Sequence, residues 1–136
     1  MGAPVTPLLA TDCVVLDARG RLLVVRRKFA PFAGQLALPG GFVETNETVE
    51  AACRRELAEE TGVRVDALRL VGVYSEPGRD PRGPVASVAF LARVDAAEAT
   101  AGDDAAAVSW IDPAEARALA FDHARIVADA LAIARA

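Results

Sequence analysis

The 136-residue sequence is poor in aromatic residues, has two cysteines and one histidine, and contains no long apolar run. Aromatic residues make up only 5% of the chain, so the core must be built mainly from Val, Leu and Ile. Two cysteines, Cys13 and Cys53, are too few for a disulfide framework and match no metal-binding spacing, which makes a reducing cytoplasm the simplest location. No signal-peptide pattern and no 18-residue apolar stretch are found, so neither secretion nor a membrane partner is expected.

The chain also lacks a basic block. Its net charge is -4 and its sequence pI is near 5.0, which argues against nucleic acid as a partner, although a few arginines could still hold a phosphate locally. Hydrophobic residues amount to 53% and charged residues to 25%, so the chain has enough apolar surface for one buried core. We therefore expect residues 1–136 to form a single domain, with the proline-containing residues 1–9 as a flexible lead-in.

Turn-forming residues separate β-rich runs from helical ones. Two runs flank Gly20 as a hairpin, and a loop rich in Pro and Gly leads to a helix from about Glu47 to Thr61. Thr45 or Asn46 could cap that helix, and Gly62 would end it. Further strands are predicted at 63–75, 84–94 and 108–111, and further helices after 112 and over 122–135. This order predicts an α/β fold with a mixed β-sheet.

Three glutamates share one face of the helix at 47–61. Glu56, Glu59 and Glu60 stand at i, i+3 and i+4, and they continue the stripe that Ala52 and Cys53 begin. Two like charges about 6 Å apart repel by roughly 0.7 kcal/mol in water and by more in a half-buried site. A solvated helix face would tolerate them, but a stripe that continues an apolar face favours a hard divalent cation such as Mg²⁺ or Mn²⁺.

The residues around these glutamates support a metal site. Gly40 and Gly41 precede the helix and let the backbone approach a ligand closely, so the Gly40 carbonyl could complete a metal shell. Arg55 lies four residues before Glu59 and could hold a carboxylate in position through a bidentate contact.

The 23 residues from Gly41, GFVETNETVEAACRRELAEETGV, resemble the Nudix box, G-x5-E-x7-R-E-U-x-E-E-x-G-U. All nine specified positions match: Gly41, Glu47, Arg55, Glu56, Leu57, Glu59, Glu60, Gly62 and Val63. The resemblance implies the Nudix α/β/α sandwich and metal-dependent hydrolysis of a nucleoside diphosphate linked to a group X, with Mg²⁺ or Mn²⁺ as cofactor.

The resemblance also implies a role for each matched side chain. Glu56, Glu59 and Glu60 would be the metal ligands together with the Gly40 carbonyl. Arg55 would orient an acid during catalysis.

Two segments outside the box are similar to the ADP-ribose pyrophosphatase branch of the family. Pro77 lies 15 residues after Gly62 and is followed by the run RDPRG, and LAFDHARIVADAL stands near the C-terminus. The products would be AMP and ribose 5-phosphate, and a homodimer would be common in that branch. An ordinary turn and a solvated loop explain the same residues, so a house-cleaning nucleoside triphosphate pyrophosphohydrolase stays open, as does a module that senses a nucleotide without cutting it.

Several residues are candidates for substrate contact. Arg79 and Arg82 could bind the second phosphate or a ribose, and the Nudix pattern favours Arg27 over its neighbour Arg26. An adenine could stack on one of a few aromatic side chains: Phe29, Phe32 or Tyr74.

The catalytic base is the hardest residue to assign. Family members often take it from a loop about six residues before a tryptophan, which here indicates Asp104, with Asp103 beside it and Glu98 in the same loop. Glu59 or Glu60 could instead serve as ligand and base. His123 is the only histidine, and a hydrogen bond at the helix start competes with a substrate contact as its role.

Overall fold

The computed structural model describes residues 2–95, 99, 102 and 105–136, with the backbone alone for residue 106. Its elements are β1 (Leu8–Leu16), β2 (Leu22–Arg27), β3 (Leu36–Ala37), β4 (Gly40–Phe42), α1 (Val49–Thr61), β5 (Arg69–Tyr74), β6 (Val85–Arg93), β7 (Ala105–Ile111), a 3-10 helix (Pro113–Ala118) and α2 (His123–Arg135).

The described strands form one mixed sheet. Its main order is β3-β2-β1-β6-β5, while β4 pairs with β1 and β7 pairs with β2. Strand β1 runs parallel to β6 over its whole length and antiparallel to β4, which brings Asp12 opposite Gly40. The central strand therefore connects the glycine segment before α1 with the strand that follows the Pro- and Gly-rich loop.

Alternating side chains of β1 fill two cores. Cys13 and Val15 face α1, whereas Val14 and Leu16 face α2 on the opposite side of the sheet. Each fully buried aliphatic side chain stabilises such a core by about 1.5–3 kcal/mol. The resulting α/β/α sandwich with a mixed sheet confirms the predicted fold class.

Strand pairing and helix capping shift some predicted boundaries. Strand β1 begins at Leu8, inside the predicted lead-in, because Leu8 pairs with Val85 of β6. Helix α1 begins at Val49 rather than near Glu47, since Thr48 accepts a hydrogen bond from the Ala51 amide and is the cap. Neither predicted cap is used, whereas Gly62 ends the helix in the left-handed conformation as predicted, with φ of 74°.

The two cysteines come together between β1 and α1. The Cα atoms of Cys13 and Cys53 are 6.3 Å apart, both side chains are buried, and the structure joins them as a disulfide. This pairing is not predicted from the sequence, where two cysteines are too few for a disulfide framework and a separation of 40 residues carries no local signal of contact. The packing of α1 onto β1 creates this contact.

Both described α-helices have 13 residues. Among the described residues, no helix has the length and apolar character needed to cross a membrane.

Candidate active site

The three helix glutamates have different surroundings in the structure. The Glu56 side chain is 18% exposed, the Glu59 side chain is 60% exposed, and Glu60 is largely buried and accepts a 3.1 Å hydrogen bond from the Gly40 amide. Within the part of the chain that the structure describes, no three acidic, His or Cys side chains converge closely enough to form a complete metal cluster. Glu59 is the member that turns away, toward Arg55.

Arg55 binds acidic side chains on either side of it. Its Nε and Nη2 atoms donate to Glu47 at 2.7 and 2.9 Å, and its Nη1 atom donates to Glu56 at 2.8 Å and to Glu59 at 3.2 Å. The hydrogen bond from Arg55 lowers the pKa of Glu47 to about 2, and the carboxylates in turn raise the pKa of Arg55. A permanently charged guanidinium that holds two predicted ligands has the geometry for an orienting role. That role stays a prediction.

Glu60 lies in an environment that disfavours its charge. Burial raises its pKa to about 9, with further contributions from a hydrogen bond and charge repulsion from Glu56 and repulsion from Asp12, against the lowering effect of the Gly40 amide. A counter-charge close to Glu60 would favour its charged form. A cation would supply that counter-charge.

The glycines at 40 and 41 leave room beside these carboxylates. A Cβ on Gly41 would lie 2.5 Å from the Glu56 carboxyl carbon, and a Cβ on Gly40 would overlap the Thr11 carbonyl oxygen. Thr11 lines the same cleft, and its hydroxyl is buried without a hydrogen-bond partner among the described residues. The close backbone, the hard oxygen donors and the unfavourable carboxylate pair fit a divalent cation held by Glu56, Glu60 and the Gly40 carbonyl.

Four arginines, Arg26, Arg27, Arg79 and Arg82, line the same cleft, which has a volume of about 280 Å³. The Arg27 Nε atom donates to the Pro31 carbonyl at 2.6 Å, and Arg82 forms a bidentate ion pair with Asp80. Burial lowers the pKa of Arg27 first, and the charge of Arg82 lowers it further. Because the two guanidinium groups repel each other, an anion in the cleft would be bound favourably.

Arg79, predicted to grip the substrate, already has a protein partner. Its Nε and Nη2 atoms donate to Asp122 at 2.8 and 2.7 Å, and its side chain is only 5% exposed, against 45% for Arg82. Arg79 does line the cleft, but its planar edge is used within the fold. The geometry therefore favours Arg82 over Arg79 as the arginine that reaches a ligand.

Aromatic rings line the cleft, and Phe29 is the one of the three predicted candidates that is among them. Phe42 and Phe121 are lining residues, and the Arg82 guanidinium carbon lies 5.2 Å from the ring centre of Phe42 and 5.9 Å from that of Phe121. Phe32 packs edge-on against Phe121 at 4.7 Å and so supports the wall from behind. Tyr74 is buried and donates to Asp129 on α2, away from the cleft.

Among the described contacts, His123 makes no side-chain hydrogen bond with Asp122, whereas it does line the cleft, so its contact with a substrate stays a prediction. Its Nδ1 atom accepts a hydrogen bond from the Leu38 amide at 3.0 Å, and its Nε2 atom lies 3.3 Å from Asp12 Oδ1. Asp12 also accepts a 2.5 Å hydrogen bond from the Ser87 hydroxyl and lies 3.8 Å from Arg79. Burial raises the pKa of Asp12, but His123, Ser87 and Arg79 together outweigh burial and hold this pKa below its usual value.

The predicted loop acids Asp103, Asp104 and Glu98 lie outside the described residues. The nearest described residue of that loop, Gly102, donates its amide to the Glu60 carbonyl at 2.9 Å. A Cβ on Gly102 would overlap the Glu59 carbonyl oxygen, so Gly102 lies in direct contact with the end of α1.

Sequence reasoning missed the cleft residues Asp12, Asp80 and Phe121. An aspartate in the middle of an otherwise apolar strand was an available signal for Asp12, because a buried charge requires a partner. Phe121 has a φ of 56°, and no local sequence pattern predicts this backbone conformation. Both positions depend on contacts between distant parts of the chain.

The chain is similar to known proteins over most of its length. A family model described as the NUDIX domain matches residues 6–130. The chain is 46% identical over 123 residues to the ADP-ribose pyrophosphatase of Methanocaldococcus jannaschii, covering 90% of this chain and 72% of that protein.

Solved structures share the fold. The NUDIX domain of Shewanella oneidensis NrtR in complex with ADP ribose has a TM-score of 0.89 and 27% identity, covering 96% of this chain and 90% of that one. A bifunctional NMN adenylyltransferase/ADP ribose pyrophosphatase from Francisella tularensis, complexed with AMP and a Mn ion, has a TM-score of 0.85 and 32% identity, covering 96% of this chain and 43% of that one.

Proposed function

Because this chain belongs to the Nudix family, we propose that it hydrolyses ADP-ribose to AMP and ribose 5-phosphate with Mg²⁺ as its cofactor. The chain is a Nudix pyrophosphohydrolase; its substrate and its metal are the parts we propose. The observation that carries the proposal is the cleft itself. The half-buried carboxylates of Glu56 and Glu60 stand in the same cavity as Arg27 and Arg82, so a cation and an anion could be bound side by side there.

A metal diphosphate matches both halves of this cleft. Glu56, Glu60 and the Gly40 carbonyl would hold the cation, which when bound neutralises phosphate charge and lowers the pKa of a water molecule. Arg27 and Arg82 would bind the diphosphate oxygens, because guanidinium groups match phosphate geometry. Arg55 would keep its glutamate partners oriented, as its hydrogen bonds already do.

The choice of ADP-ribose is supported by the cleft's aromatic wall and by the relatives. Phe42 and Phe121 offer apolar faces beside Arg82, as a nucleoside diphosphate with an apolar base requires. The archaeal relative is named an ADP-ribose pyrophosphatase, and a structural neighbour at 27% identity holds ADP ribose. We therefore replace Phe32 by Phe121 as the residue proposed to face the base.

A substrate panel tests the proposal. ADP-ribose, NADH, dGTP and a dinucleoside polyphosphate are incubated with the protein and Mg²⁺, and the products are separated by ion-exchange chromatography. We expect AMP and ribose 5-phosphate from ADP-ribose at the highest kcat/KM. Preferred release of pyrophosphate from dGTP would make the protein a nucleoside triphosphate pyrophosphohydrolase, and no turnover of any diphosphate would favour a sensing module.

The metal is tested in the same assay. Removal of divalent ions with EDTA should abolish turnover, and Mg²⁺ should restore it; Mn²⁺ is the alternative cofactor.

We propose that the chain is a single Nudix domain, that it is located in the cytoplasm and that it forms a homodimer. Light scattering on the purified protein tests the dimer.

Arg82 should determine the affinity for the substrate. Replacing it by Ala should raise KM for ADP-ribose by about 10-fold or more with a smaller effect on kcat, because one charge-assisted contact contributes roughly 1.5–3 kcal/mol. Steady-state kinetics measure the change. Arg54→Ala is the matched control, since Arg54 is an exposed arginine whose hydrogen bonds with the described residues go to the Asp66 carbonyl. Equal KM values for the Arg82 variant and the control would contradict the assignment.

A further inference from the structure

Two adjacent residues at the start of α2 hold the two sides of the cleft together. Asp122 binds Arg79, which belongs to the segment 75–84 that also carries Arg82. His123 binds the Leu38 amide on one edge and approaches Asp12 on the other. We call Asp122 and His123 the clasp, and we propose that the clasp is the positioning device of the active site, with one residue for each side of the cleft.

Asp122 positions the segment 75–84, which carries the arginine side of the cleft. The Arg79 side chain is buried, so its bidentate bond to Asp122 fixes the segment from within the protein. Asp80, one residue further, is also buried and pairs with Arg82. The position of the Arg82 guanidinium therefore depends on the bond between Arg79 and Asp122.

His123 positions the backbone from Leu38 to Gly40, which lies on the carboxylate side of the cleft beside Glu60. Its contact with the Leu38 amide lies two residues before Gly40, whose amide binds Glu60 and whose carbonyl is the proposed metal ligand. The neighbouring Pro39 carbonyl is fixed by the Cys13 amide at 2.8 Å, so this short segment is held at successive residues. Among the described contacts of this segment, the one from His123 ties it to the C-terminal helix.

The hydrogen bonds of His123 specify its protonation. An Nδ1 atom that accepts from the Leu38 amide carries no proton, so the proton of the neutral ring stands on Nε2 and points to Asp12. Ser87 donates its own proton to Asp12, so the serine is not activated by the histidine and the group is not a nucleophilic triad. Within this group, His123 is the side chain that binds backbone, at the Leu38 amide, and Asp12 and Ser87 hold the other edge of its ring.

Kinetics separate the two halves. Asp122→Asn should raise KM by roughly 10-fold and leave kcat little changed, because it loosens groups that bind the substrate throughout the reaction. His123→Ala should lower kcat by roughly 10-fold with KM little changed, because it releases the segment that presents Gly40. His123→Asn should recover most of the activity, since the Asn side-chain oxygen can replace Nδ1 as acceptor.

The control is Asp129→Asn on the same helix. Asp129 accepts from the Tyr74 hydroxyl at 2.6 Å, outside the cleft, so this change alters a side-chain contact of the same helix without touching the site. If this control changed kcat or KM as much as the clasp variants do, the clasp would have a structural role alone and the inference would be overturned. The same holds if Asp122→Asn affected kcat instead of KM.

Two measurements do not depend on turnover. Because His123 is the only histidine, its ¹⁵N NMR spectrum reports one ring, and we expect the Nε2–H tautomer. Binding of Mn²⁺ to the substrate-free protein, followed by EPR, should weaken in His123→Ala and stay unchanged in Asp122→Asn. An Nδ1–H tautomer, or equal Mn²⁺ binding in all variants, would overturn the inference.

The inference rests on the proposed function for the roles of Gly40 and Arg82, but the two can fail separately. If the panel shows another diphosphate to be the substrate, the kinetics are run with that compound. If no diphosphate is turned over, the proposed function fails, and the tautomer and the Mn²⁺ binding still decide the clasp. If His123→Ala does not fold, the kinetics of His123→Asn and the tautomer of His123 in the wild-type protein test the role of the clasp.

Discussion

The Glu60→Gln variant should lose at least about 100-fold in kcat, because a neutral amide cannot provide the anion that holds a cation beside the diphosphate. Glu60 is partly buried and is the helix glutamate bound to the Gly40 amide, so its carboxylate is not readily replaced by water. Steady-state kinetics at several Mg²⁺ concentrations measure the loss. Turnover near the wild-type value at limiting Mg²⁺ would contradict the role of Glu60 as a ligand.

The same variant should not destabilise the metal-free protein. In the folded protein the pKa of Glu60 is raised to about 9 from an ordinary value of 4.5, so the folded state keeps a proton that the unfolded chain has already released. The stabilisation from this proton is fully present below about pH 4.5 and is lost as the pH rises toward 9. Glutamine does not titrate, so the variant should lose less stability over this range.

Thermal unfolding in EDTA between pH 5 and 9 checks this expectation. The Tm of the wild-type protein should fall more steeply with pH than the Tm of Glu60→Gln. Glu50→Gln, an exposed change in the first turn of α1, is the control and should follow the wild-type curve. Parallel curves for all three proteins would mean that Glu60 is ionised in the metal-free state.

The sequence predicted those parts of the site that lie on one continuous segment. Gly40, Gly41 and the helix glutamates occur within about 20 residues, and their spacing on a helix determines which of them share a face. The α/β fold class was also predictable, because strand and helix patterns alternate along the chain. Local periodicity was sufficient for both.

The rest of the site depends on contacts between distant residues. The pairing of Arg79 with Asp122 spans 43 residues, and the contact between Leu38 and His123 spans 85. Sequence spacing could not show that the buried Arg79 pairs with Asp122, so it named Arg79 and Arg82 together without ranking them as substrate contacts. The choice between Arg79 and Arg82 required the exposed fraction of each side chain, which is a property of the folded chain.

Asp104→Asn should lower kcat by about 100- to 10,000-fold while leaving KM nearly unchanged, if Asp104 is the general base. The described part of the loop supports this expectation, because Gly102, two residues earlier, donates to the Glu60 carbonyl and packs against that of Glu59. This contact ties the loop to the end of α1 that bears the predicted ligands. The loss should shrink as the pH rises, because hydroxide then replaces the missing base.

Asp103→Asn is the matched control for this variant, since adjacent residues of a loop rarely point at the same atom. A large loss in Asp103→Asn with a small one in Asp104→Asn would move the base by one residue. If Asp104→Asn costs less than about 10-fold and Asp103→Asn is equally mild, Glu59 or Glu60 must serve as both ligand and base. In that case Glu59→Gln should show the pH-dependent loss, because Glu59 is the more exposed of the two and its carboxylate is held by Arg55 rather than by Gly40.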